Sequence, residues 1–186
     1  MDIENEKRIS LAFMSVIYEL SPAIYDAVDN IFKKFGVGGG IFWSRSLSGD
    51  VAKKTRYEII SYLTALETIL LDQWPSRTEE PWGITELLEH HIFSMQLGDA
   101  RPAYDVYREL FNKKHHQESN LYPREHFVHS LFTQRIIDLW MKETGWVPQS
   151  SEVIDSFSSE LITLVNAAEG TLRAGLSGIW PEKSDQ

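Results

Sequence analysis

The six histidines of this 186-residue chain all lie between His90 and His129. Neutral imidazoles are common ligands of divalent transition metals. Side chains three or four residues apart share one face of a helix, so two helical segments here could supply one mononuclear metal site. The candidate ligands are Glu89, His90, His91, Glu125, His126 and His129. The alternative is a structural role, as for His115 and His116, whose charge would favour a helix carboxyl end.

Arg124 and His129 form a second candidate pair, with four residues between them in the segment LYPREHFVHS. This spacing resembles the Arg-x4–6-His signature of HEPN domains, small all-helical domains of many bacterial toxins and defence ribonucleases. The resemblance implies a metal-independent ribonuclease in which His129 assists proton transfer at the RNA 2′-hydroxyl and Arg124 stabilises charge on the phosphate. Histidine titrates near neutral pH and a guanidinium forks onto phosphate oxygens, so the residue types suit these roles. In this hypothesis, replacing His129 with alanine abolishes RNA cleavage and leaves stability nearly unchanged.

The elements that must position these residues are predicted to be helices. Apolar residues recur at helical spacing along almost the whole chain, and the alternation typical of strands is hard to find. The pattern predicts an all-α single domain, a bundle-like array of about seven helices. The predicted helices cover about residues 4–20, 22–35, 50–73, 85–97, 102–116, 123–143 and 151–170.

Proline and glycine set the predicted boundaries. Pro22 is interpreted as the first residue of the second helix, and the glycine-rich segment 36–49 is predicted to be an exposed connection rather than a phosphate-binding loop. Gly170 is predicted to end the last helix. The domain is therefore expected to cover residues 1–170, followed by a loose or docked tail over residues 171–186.

Composition excludes several classes of function. The chain has no cysteine, which rules out disulfides, thiolate zinc sites and cysteine nucleophiles, and no cofactor is predicted. The charged amino-terminal residues lack the apolar region of a signal peptide, and no apolar run approaches the ~20 residues of a transmembrane helix. These observations predict a cytoplasmic protein without a membrane partner. The formal net charge of −9 disfavours non-specific nucleic-acid binding.

The favoured function is contact with another macromolecule. Six Trp, seven Tyr and nine Phe supply the aromatic side chains that interfaces use, although cores use them too. The protein is expected to be an inhibitor, an immunity-type protein or a regulatory partner, with its negative charge steering it toward a basic protein. Homodimerisation is a further option. The ribonuclease remains the alternative, with RNA as a partner only in that case, and whether the chain is an enzyme stays open.

Overall fold

A computed structural model describes residues 3–36, 47–73, 82–95, 97–116 and 125–179. The all-α prediction is confirmed for these residues, none of which lies in a strand. They form six α-helices and one 3₁₀ turn rather than about seven helices. The α-helices are α1 (Ile3–Lys34), α2 (Gly49–Gln73), α3 (Trp82–Met95), α4 (Arg101–His116), α5 (Glu125–Thr144) and α6 (Ser151–Ile179), and the 3₁₀ turn is Gly98–Ala100.

Helix α2 is the central element of the fold. Every residue from Glu58 to Leu71 is buried, so no face of this stretch meets solvent. A helix buried all round needs neighbours on every side. Helices α1, α4 and α5 pack closely against α2, and α3 and α6 make smaller contacts with it. The residues described below are therefore arranged around this helix.

The predicted break at Pro22 is wrong, because α1 continues through it from Ile3 to Lys34. An interior proline removes one backbone hydrogen bond and costs about 3 kcal/mol. Burying one aliphatic side chain stabilises the folded state by about 1.5–3 kcal/mol. Ile17 before the proline and Ile24 and Val28 after it are all buried on the same side of α1. Packing of this continuous apolar face outweighs the local cost of the proline.

The predicted helix end at Gly170 is also wrong. Helix α6 extends to Ile179, so the first nine residues of the predicted tail are helical, and residues 180–186 lie outside the described part. Leu172 and Leu176 are buried and continue the apolar stripe of the helix beyond the glycine. Gly170 has no atom near its missing side chain, so it costs helix stability without stopping the helix.

Helices α1 and α6 pack antiparallel and close together. The Lys34 ammonium at the end of α1 pairs with Glu160, while Val16, near the middle of α1, lies against Gly175. A Cβ atom at Gly175 would lie 3.2 Å from Val16 Cγ1. A glycine at this position therefore allows the two helices to approach closely.

Most of the predicted connection over residues 36–49 lies outside the described part; of its described residues, Gly36, Ser48 and Gly49 are exposed as predicted, and Leu47 is not. Leu47 is buried, and its backbone N–H donates to Asp29 Oδ1 at 2.6 Å. Asp29 thereby ties the entry of α2 to α1. Gly36 has a φ of +63°, the left-handed conformation common just past a helix end.

By length and composition, one helix of the described residues could cross a membrane, namely the part of α1 from Glu6 to Lys34. The sequence analysis found no such stretch, because serines and acidic residues interrupt the apolar residues. One side of α1 packs in the protein interior through residues such as Phe13 and Ile17. The cytoplasmic location stays a prediction.

Candidate functional site

His129 lies in the protein interior, where α2, α5 and α6 meet. Its residue exposure is only 2%, and both ring nitrogens have partners. Nδ1 is 2.9 Å from the Tyr62 hydroxyl of α2, and Nε2 is 2.8 Å from Glu169 Oε2 of α6. A neutral ring protonated on Nε2 satisfies both contacts, because Nδ1 accepts from the tyrosine and Nε2–H donates to the carboxylate.

Glu169 continues this chain of hydrogen bonds toward the surface. Its Oε1 accepts from Arg173 Nε at 2.6 Å. The hydrogen bond with His129 lowers the pKa of Glu169, and Arg173 adds to this against the opposing effect of burial. Burial raises the pKa of Tyr62 well above its usual value, and the Glu169 charge reinforces the shift. Tyr62, His129, Glu169 and Arg173 form what we call the histidine network.

A second polar network surrounds Glu58 on α2. The Tyr107 hydroxyl of α4 donates to Oε1, and the Arg135 guanidinium of α5 donates to both carboxylate oxygens, with Nη2 2.9 Å from Oε2. This two-point contact is the strong form of an arginine–carboxylate pair. Burial raises the pKa of Tyr107, and the neighbouring Glu58 charge raises it further. The polar groups of this network are thus used to join helices.

Glu67, also on α2, is a buried carboxyl of a different kind. Its exposure is 1%, and its Oε2 has no hydrogen-bond partner among the described residues. Burial raises the pKa of Glu67 well above its usual value. Burial therefore favours the neutral, protonated form of this side chain, because an unpaired charge would be costly here.

The metal candidates on α3 lie close to residues other than the candidates on α5. Glu89 accepts a hydrogen bond from the Tyr104 hydroxyl, and His90 Nδ1 lies 3.2 Å from the Ser94 hydroxyl. His91 Nε2 is buried without a hydrogen-bond partner in the described part of the chain. The rings of His90 and His91 are 6.0 Å apart.

The structure does not bring the two groups of metal candidates together. Helix α3 packs mainly against α1, with smaller contacts to the 3₁₀ turn and α2, whereas α5 packs mainly against α2, α4 and α6. On α5, the rings of exposed His126 and buried His129 are 6.3 Å apart, and the side chain of Glu125 lies outside the described part. Among the described residues, no group of three or more His, Asp or Glu side chains could hold a metal ion.

The ribonuclease pair is described only in part. Arg124 lies outside the described residues, so the contact between the two side chains stays a prediction. His129 is enclosed by its own protomer. The sequence singled out His129 but missed Tyr62 and Glu169, which are 67 and 40 residues away from it. No local motif joins residues at such separations.

The outer side of α6 carries few charges over a length of about 33 Å, although the ion-paired side chains of Glu160 and Arg173 are 31% and 43% exposed there. Eleven residues between positions 156 and 178 are exposed, and none of them is charged. They are Ser156, Ser159, Ile162, Thr163, Asn166, Ala167, Gly170, Thr171, Ala174, Ser177 and Gly178. The neighbouring helix α5 adds exposed Ser130, Gln134 and Met141, which share one side of that helix with exposed Asp138. These fourteen residues are the α5–α6 face.

Several hydroxyls of the α5–α6 face are already used within their own helices. Thr163, Thr171 and Ser177 donate to backbone carbonyls one turn earlier, at 2.9, 3.1 and 3.0 Å. Ser130 does the same on α5, at 2.9 Å. These bonds reduce the polarity that the face presents to solvent.

Comparison with family models, curated proteins and solved structures found no match.

The α5–α6 face is unusual on physical grounds for a helix surface that meets water. Exposed helix positions favour Glu, Lys, Gln and Arg, whereas each glycine costs about 1 kcal/mol relative to alanine. At its border, Asp138 accepts a hydrogen bond from Gln134, and Glu169 is paired with Arg173.

Proposed function

We propose that this protein acts by binding another macromolecule through the α5–α6 face, as an inhibitory, immunity-type or regulatory partner. The supporting observation is the run of eleven exposed, uncharged residues on α6 in a chain of net charge −9. Docking on such a surface removes little charge from water, because the partly exposed Glu160 and Arg173 side chains are already ion-paired, and this lowers the cost of forming an interface. Small side chains on a rigid helix also lose little conformational freedom when they are covered.

The charge of the chain limits the class of partner. A net charge of −9 repels nucleic acid, and the Arg173 guanidinium beside the face is already paired with Glu169. The proposed partner is therefore a protein. The two internal networks agree with a binding role, because they use buried His129 and Glu58 to connect helices.

This proposal predicts contact with another chain at α6 and not at the exposed side of α1. A photoreactive amino acid at Asn166 should form covalent adducts of higher mass in cells that produce the protein. The same group at Ser15, an exposed residue of α1, should form none. Replacing Gly170 with glutamate should reduce the adduct at least tenfold, since docking would then bury a charge. Gly170 has open space around it, so the fold should tolerate this change.

Mass spectrometry of the adducts is the measurement, and the melting temperature of each variant is the control. The α5–α6 face would be ruled out as the binding surface if positions 166 and 15 gave equal amounts of adduct. It would also be ruled out if Gly170→Glu left the amount of adduct unchanged.

The second candidate function is the metal-independent ribonuclease. It is supported by the fixed orientation of His129, whose Nε2 is held 2.8 Å from a carboxylate, as in bases that take up protons during catalysis. Substrate access would require the ring to leave its partners, because its exposure is 2%. This requirement makes binding the better supported function.

In the ribonuclease case, purified protein should cleave RNA without divalent metal. Arg124→Lys should abolish cleavage, since an ammonium cannot make the bidentate hydrogen bonds to phosphate that a guanidinium makes. Gel analysis of a labelled RNA gives the rate, and an unchanged melting temperature shows that the variant is folded. RNA that stays intact with the wild-type protein, alone and with cell extract, would count against this function.

A further inference from the structure

We draw no further inference here: the strongest candidate, the apolar turn between α5 and α6 where Val147 is 73% exposed beside half-buried Trp146, carries none because nothing in the described part of the chain shows what covers it.

Discussion

Replacing His129 with alanine should lower the free energy of unfolding by roughly 2–4 kcal/mol. The change leaves a cavity at a site of 2% exposure and removes the partners of the Tyr62 hydroxyl and of Glu169 Oε2. An unsatisfied buried polar group costs about 1–3 kcal/mol. Chemical denaturation followed by circular dichroism measures the effect. This expectation replaces the sequence-based hypothesis that the same change leaves stability nearly unchanged.

His126 gives a matched control for this prediction. It lies one turn earlier on α5 and is exposed, so His126→Ala should change stability by less than about 0.5 kcal/mol. A double-mutant cycle of His129→Ala with Tyr62→Phe should give less than the sum of the two single losses, because both changes break the same hydrogen bond. Similar losses for the two histidine variants would show that the histidine network contributes nothing to stability.

Replacing Glu67 with glutamine should stabilise the protein at pH 7 by about 1–3 kcal/mol and have little effect near pH 3.5. Burial raises the pKa of Glu67, so the folded state keeps the proton while the unfolded chain releases it near pH 4.3. Each increase in pH above that value therefore favours the unfolded state of the wild-type protein, until the pH passes the raised pKa. Glutamine cannot ionise, so the variant loses this dependence.

Denaturation curves from pH 3.5 to 8 measure the difference between the two proteins. Glu19→Gln is the control, since Glu19 is exposed on α1 and its replacement should leave the pH dependence unchanged. A Glu67→Gln protein that is less stable than wild type at all pH values would show that the carboxyl has a favourable partner. Equal pH dependence in both proteins would show that Glu67 is ionised in the fold.

Helical periodicity was enough to predict the all-α class, because each helix buries a regular stripe of apolar residues. The errors at Pro22 and Gly170 have one cause. Both residues weaken a helix locally, but the apolar stripe continues beyond each of them, and packing then decides where the helix ends.

The polar residues inside α2 could not be predicted as buried from their types. Ser61, Thr64 and Thr68 donate to backbone carbonyls of their own helix, with Ser61 also reaching Ala100 O at 2.7 Å. Glu58 depends instead on partners from α4 and α5. From the sequence, a hydroxyl that bonds to its own helix is only one of several options. Partners on other helices, such as those of Glu58, cannot be read from the sequence, since these contacts exist only after the helices pack.

The same limit applies to the candidate site. The clustering of histidines pointed to His129 but suggested a metal or RNA as its partner, whereas the structure gives it Tyr62 and Glu169. The exposed, uncharged positions of α6 could not be picked out from the sequence, because Glu160, Glu169 and Arg173 lie in the same stretch. They became a surface once Leu172 and Leu176 were seen to face inward, which turned residues 170–178 from a tail into a helix.

The complete enclosure of α2 from Glu58 to Leu71 has a consequence for how the chain folds. The surrounding helices together cover α2, so detaching one of them exposes part of this buried segment to solvent. The outer helices in turn lose the surface against which they pack. Partial unfolding therefore costs free energy both in α2 and in the helix that detaches. The described helices should form and melt as one cooperative unit, and the backbone amides of α2 should be the last to exchange with solvent.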